Sequence, residues 1–227
     1  MSPTFQKIEP VSKKARIVAQ LKEAVIAGTI QSGEPIVEGK IAQQFGVGQG
    51  LIREALIELE HQGFVQRTPF SGTVVSKLTM EDAQHIFDIR IELEPLAFFL
   101  AGRLADDEQL TDLKRVAEQT KNAANAQDLE GFFSNHLNFR KSIWKLSGNK
   151  FLEQTLERMV IPLYALYFIR RSHNMEGILQ TTIDCIAHQD KILAAYDRKD
   201  FDEARRVARE FLIEMKGYLG TRLVTER

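Results

Sequence analysis

The chain has 227 residues, 44% apolar and 27% charged, with 14 Gly and 6 Pro, an ordinary globular composition with length for one large domain or two modest ones. A net charge of −1 excludes a chain coated in basic charge, as histone-like binders are, but leaves room for a local nucleic-acid site. The longest apolar stretches, Leu93–Leu100 and Met159–Ile169, are broken by Glu or Pro and fall short of a membrane span, and the lone Cys185 excludes an intramolecular disulfide or a Cys-rich zinc finger.

The opening MSPTFQKIEPVSKK has no apolar signal region, so a cytoplasmic protein without membrane contact is expected. Lys14–Ala27 then places Ile17, Val18, Leu21, Val25 and Ile26 in a helical stripe that ends at Gly28. Gln31–Pro35 reads as a turn. Two brief helices follow, Glu38–Phe45 and Gln49–Gln62, separated by Gly46-Val47-Gly48. Phe64–Arg67 and Thr73–Val75, around Thr68-Pro69-Phe70-Ser71-Gly72, read as a hairpin.

Beyond Ser76 the strand signal disappears and long helical stripes take over. Residues 1–75 carry a net charge of +1 and the remainder −2, a small asymmetry that coincides with this change of texture. Thr79 with Asp82 forms a capping box. The helix behind it shows Ile86, Ile89, Leu93, Leu96, Leu100 and Leu104 at helical spacing, with Pro95 expected to kink it. Asp107–Ala126 follows. Asp128–Leu146 carries Leu129, Phe132, His136, Phe139, Ile143 and Leu146 and stops at Ser147-Gly148-Asn149. The last three helices are Lys150–Arg170, Met175–Asp197 and Asp200–Leu219. Ile178, Thr181, Cys185, His188 and Ile192 mark the inner face of the second, and Val207, Phe211 and Met215 that of the third.

Two short helices joined by a Gly turn and followed by a hairpin predict a winged helix-turn-helix, so the chain is expected to bind double-stranded DNA. Leu51, Ile52, Ala55, Leu56 and Leu59 form the inward face of the second helix, leaving Gln49, Gly50 and Arg53 outward at its first turn. Gln49 and Arg53, four apart, share one surface. Gln can read adenine and Arg can read guanine or hold phosphate. Gly48 and Gly50 leave backbone amides open to a phosphate.

The run GVGQGLIREALIELEHQGFV resembles the DNA-binding domain of the GntR family of bacterial transcriptional regulators. IRIELEPLAFFLAGR, the helix ending in SGN, and AHQDKILAAYDRKDFDEA resemble the FCD effector domain of its FadR-type subfamily, and six helices point to the VanR-like subdivision. The resemblance implies a mainly α protein: a winged helix-turn-helix over residues 1–75, a linker at 76–79 and an all-α bundle over 80–227. It implies a homodimer on a pseudo-palindromic operator, modulated by a small molecule in the bundle. The DNA-contacting set it implies is Lys40, Gly48, Gln49, Gly50, Arg53, Ser71 and Gly72. Arginines common in the family are replaced here by Gly39 and by Gln49.

Many FCD proteins hold a divalent metal on an Asp and three His. Those positions fall on His136, Arg140, His188 and Phe211, so only His188 matches. A guanidinium does not ligate and Phe211 has no donor, so no metal or other cofactor is expected. Two His and water would hold zinc or nickel only weakly beside Arg140. The expected effector is instead a small organic acid, held by Arg140 with His136 and His188, oriented by Arg90 and walled by Phe211. The other reading for Arg90 is an ion pair with Glu94; Trp144 reads as packing or interface, Cys185 as core. Two rival functions are a helical enzyme with His136 and His188 as acid and base, and a protein-interaction module that does not bind DNA.

Overall fold

The computed structural model describes residues 12–222 apart from 28, 69–71 and 171–174, and the backbone alone at 68, 165–170, 175–179 and 220–222. The chain divides into two compact units, the first ending at Lys77 and the second beginning at Leu78.

In the first unit, helix α1 (Lys13–Ile26) starts at Ser12, whose hydroxyl accepts from the Ala15 amide at 3.1 Å. It buries Ile17, Val18, Leu21 and Val25, the expected stripe. The expected stop at Gly28 lies outside the described residues. Helix α2 (Glu38–Phe45) ends on Gly46, whose φ of 62° is the left-handed cap a side chain disfavours. Helix α3 (Gln49–His61) follows and buries Ile52, Ala55, Leu56 and Leu59, while Leu51 is only half-buried.

Strands β2 (Val65–Thr68) and β3 (Gly72–Val75) form the expected hairpin, with Val65 opposite Val75 and Thr68 opposite Gly72. The turn expected over Gln31–Pro35 is present at Ser32–Gly33, where the Glu34 amide donates to Gln31 O at 2.9 Å, and the correction concerns its last residue. Pro35–Ile36 is a short strand, β1, which pairs antiparallel with β3 and makes a three-stranded sheet of order β1-β3-β2. Proline is tolerated there because β1 is an edge.

The second unit is a bundle of α4 (Met80–Leu104), α5 (Asp107–Asn125), α6 (Leu129–Leu146), α7 (Lys150–Arg170), α8 (Met175–Asp197) and α9 (Phe201–Arg222). The Thr79–Asp82 capping box is present at the start of α4. Phe98, Phe139, Ile143, Ile192, Tyr196 and Ala208 lie at the centre of the core. At Gly102 a Cβ would fall 2.7 Å from the rings of Phe201 and Tyr196, so only glycine lets these helices approach so closely.

The expected inner face of α4 is displaced. Ile89 and Leu104 are 45% and 61% exposed, and Ile86, Leu93, Leu96 and Leu100 are half-buried. The buried positions are instead Ala83, Phe87, Arg90, Ile91, Glu94, Ala97, Phe98 and Ala101. Apolar periodicity pointed to the wrong face because the true inner face carries an arginine and a glutamate.

Candidate functional site

The first turn of α3 and the hairpin gather most of the expected DNA-contacting residues on the surface of the first unit. Lys40, Gly48, Gln49, Gly50, Arg53 and Gly72 are all exposed; Ser71 lies outside the described residues. Gly48 is the N-cap of α3 and makes no side-chain cap. A Cβ at Gly48 or Gly50 would meet nothing within 4 Å, so the α3 N-terminus presents bare backbone to the outside. At the mouth of the hairpin, Gly72 has φ of 83°.

Two details go beyond the sequence reading. The Nε and Nη2 of Arg53 donate to Glu38 Oε2 at 3.2 and 3.0 Å, tethering a guanidinium whose side chain is 56% exposed. The Gln49 Nε2 lies 3.2 Å from where a Cβ of Gly39 would stand, so these two positions, both departures from the resembled pattern, sit against each other. The signal for Glu38 was available: an acidic residue in the first turn of α2, the helix that packs on α3.

In the bundle, α4 and α6 face each other with two pairs spaced four residues apart. Arg90 and Glu94 come from α4, Arg140 and Trp144 from α6, and all four are buried. Glu94 Oε2 accepts from Arg90 Nε at 2.9 Å, and Oε1 accepts from Arg140 Nε at 2.7 Å and Trp144 Nε1 at 3.0 Å. Burial pushes the Glu94 carboxyl up, but Arg140 and Arg90 outweigh it and hold it down at about 2. Burial opposes the charge on Arg140, and the Glu94 carboxylate preserves it.

Glu94 is therefore the hub of the site, and sequence reasoning treated it only as a partner for Arg90. Its signal was a carboxylate placed between Leu93 and Pro95 in an apolar run. Trp144 belongs to this network as well; it is fully buried, which corrects the interface reading.

Arg140 uses only Nε in this network. Its Nη1 and Nη2 are buried without a hydrogen-bond partner among the described residues. The guanidinium lies 5.6 and 5.5 Å from the rings of Phe98 and Phe211, contacts that offset part of that cost.

Beside it is a cavity of about 30 Å³, room for one or two waters, lined by Phe87, Arg90, His136, Arg140, Tyr164 and Phe211 among others. Cys185, expected in the core, is buried and also borders it; burial pushes its thiol up to about 12, so it stays protonated. His136 Nδ1 lies 3.2 Å from Gln189 Nε2. Burial, reinforced by the Arg140 charge, holds His136 well below the usual imidazole range and therefore neutral.

His188 is placed differently from the expectation. It does not border this cavity but stacks on Phe211 at 4.2 Å and 7°, facing a groove of about 370 Å³ between α8 and α9. Both its ring nitrogens are buried and unpartnered among the described residues, and burial holds it neutral too. Phe211 borders both spaces.

The four positions at which the resemblance implied a metal set, His136, Arg140, His188 and Phe211, do not fit a metal here. Phe211 occupies one of them with a ring stacked on His188, and Arg140 brings a fixed positive charge to another. Among the described residues no group of three or more His, Cys, Asp or Glu is placed to hold a metal ion. No described helix is long and apolar enough to cross a membrane.

Comparisons with known proteins agree with this architecture. Residues 13–75 match the model of bacterial regulatory proteins of the gntR family, and residues 85–214 match the FCD domain. The chain is 32% identical over 180 residues to the uncharacterized HTH-type transcriptional regulator YdhC of Bacillus subtilis (strain 168), covering 78% of this chain and 80% of the relative. It is 30% identical over 141 residues to the gluconate operon transcriptional repressor of Bacillus licheniformis, covering 62% and 58% respectively. The solved structure of E. coli McbR/YncC shares the fold, with a TM-score of 0.67 over 93% of this chain and 98% of that one at 23% identity. A winged helix-turn-helix head followed by an FCD bundle makes this chain a member of the GntR family of DNA-binding transcriptional regulators.

Proposed function

We propose that the protein is a homodimeric regulator whose operator binding is modulated by a small carboxylate held in the bundle without a metal. The observation that carries this reading is Arg140, a fully buried guanidinium whose two terminal nitrogens lack partners among the described residues, beside a cavity. An unpaired buried donor is costly, and a carboxylate meets the planar fork of an arginine with two parallel hydrogen bonds. Arg cannot lose its charge, so it performs at this site the electrostatic role that a cation performs elsewhere.

His136, neutral and bordering the cavity, contributes polarity without adding charge, and Phe211 supplies an apolar wall. An aromatic or branched acid therefore suits the site better than a compact hydroxy acid. A relative named for a gluconate operon, gluconate being a carboxylate, is compatible with acids as the effector class. Arg90, Glu94 and Phe87 all lie on α4, the helix joined through Leu78 and Thr79 to the DNA-binding unit. A ligand that shifts α4 thus reaches the head by direct chain continuity, and two-fold heads read two-fold sites.

The test is a gel shift on the DNA upstream of the protein's own gene, titrated with a panel of organic acids after chelator treatment. A competitor-resistant shift that one acid weakens or strengthens is the expected result. Absence of a specific shift, or a response that disappears with chelator, contradicts the proposal.

A further inference from the structure

The cavity carries a definite charge. Arg90 and Arg140 bring two positive charges and Glu94 one negative, while Cys185 is a protonated thiol and His136 is neutral. Glu94 has both oxygens committed, to Arg90 on one side and to Arg140 and Trp144 on the other. It is a fixed internal counter-ion, and the described residues lining the cavity leave it a single uncompensated positive charge. Much of the remaining lining is apolar, with Phe87, Phe133, Leu163, Phe211 and Met215.

The groove outside Phe211 carries charge of the opposite sign. Asp184, Glu203, Glu210 and Glu214 border it against only Lys191 and Arg206, and Arg206 is already bound to Glu203 and Glu210. The cavity holds only one or two waters, so an organic ligand requires a wall to move. Among the described residues Phe211 borders both spaces, so the acidic groove lies directly behind the wall that its ring makes. A ligand group reaching past Phe211 from the cavity would meet net acidic charge rather than a second cation.

We infer that Glu94 and the acidic groove restrict the effector to a single negative charge on an apolar body, a monocarboxylate rather than a dicarboxylate or a phosphate ester. This rests on the carboxylate reading above and sharpens it. A second ligand charge would be buried against the apolar wall with no counter-ion, and burying an unpaired charge is costly.

Calorimetry and thermal shift on the full chain, in chelator at pH 7.5, decide it. The probes are benzoate, isovalerate and hexanoate, the dianions phthalate and adipate, and the neutral benzamide. At least one monocarboxylate is expected to raise the melting temperature and bind about tenfold or more tighter than either dianion. Glu94→Gln, where it folds, is expected to narrow or reverse the benzoate–phthalate gap. A folded Glu94→Gln with the wild-type ranking overturns the role given to Glu94. In the wild type, a dicarboxylate binding as tightly as the best monocarboxylate overturns this inference and leaves the carboxylate reading standing. Benzamide matching benzoate, or no acid binding at all, overturns both.

Discussion

In the N-terminal unit Arg53 leans on Glu38 with its side chain 56% exposed, while in the bundle Arg140 leans on Glu94 with its side chain 1% exposed. The two ion pairs are alike in chemistry and opposite in placement. The head keeps an apolar core and carries its working polar groups outside, where DNA is met. The bundle turns its polar groups inward, where the proposed effector would bind, and accepts the desolvation that this entails. Charge inside a helical bundle is costly enough that its presence, with donors left over, reads as a binding site rather than as a stabilising device.

The largest expected effect is at Glu94. Glu94→Ala leaves two buried guanidiniums uncompensated and should destabilise the bundle by about 3–5 kcal/mol, measured by urea unfolding. Removing the equivalent partner in the head, by Glu38→Ala, should change stability far less, because the Arg53 pair is exposed. Similar losses from the two variants would show that burial does not separate the two pairs.

Acid should reveal the same contrast. His136 and His188 are held below their usual 6.5 in the folded chain, so the unfolded chain takes up their protons first. Their contribution to stability is complete above pH 6.5 and is lost as pH falls below it, at up to about 1.4 kcal/mol per pH unit for each. Glu94, held at about 2 against an ordinary 4.5, adds a further loss as pH falls from 4.5 towards 2. Unfolding midpoints measured from pH 8 to 4 should therefore decline below 6.5, and the double variant His136→Asn, His188→Asn should flatten the decline. A wild-type midpoint constant down to pH 5 would contradict the neutral assignment.

On the DNA side the expected effects are in binding. Arg53→Ala should cost roughly 1–3 kcal/mol of operator affinity if the contact is bidentate, read by titration at several salt concentrations. Wild-type affinity with unchanged salt dependence would mean that another face reads the operator. Gln49→Arg should move base preference at one position of each half-site towards guanine, read by a systematic base scan. The smallest change is expected at Arg206, an exposed member of a pair network on α9. Its replacement by Ala should leave the urea unfolding midpoint nearly unchanged, because the pair network is exposed.

The same contrast explains what the sequence revealed. In the head, apolar residues mark the inside, so Ile52, Ala55, Leu56 and Leu59 were legible by spacing and the outward Gln49 and Arg53 followed. The two-residue β1 was missed, being too short to alternate, and Leu51 was read as inward though it is half-buried. In α4 the rule inverted: Ile89 and Leu104 looked internal by apolar spacing and are exposed, while the buried face carries Arg90 and Glu94, of which Arg90 was expected at the pocket through the resemblance alone. His136, Arg140 and Phe211 were found at the cavity through the resemblance and the helical stripes. Trp144, Tyr164 and Gln189 completed the network only in three dimensions, because each meets its partners across helices distant in sequence.

The most direct test of the account compares wild type with Arg140→Ala in operator release by the best acid from the probe panel, with metal content measured alongside. Glu94 keeps Arg90 and Trp144 in that variant, so the bundle retains part of its network. The account predicts metal-free protein, a response to acid that chelator leaves unchanged, and loss of that response in Arg140→Ala. Stoichiometric zinc, nickel or manganese with a melting temperature that chelator lowers by several degrees would contradict it. So would an Arg140→Ala variant that responds at the wild-type concentration.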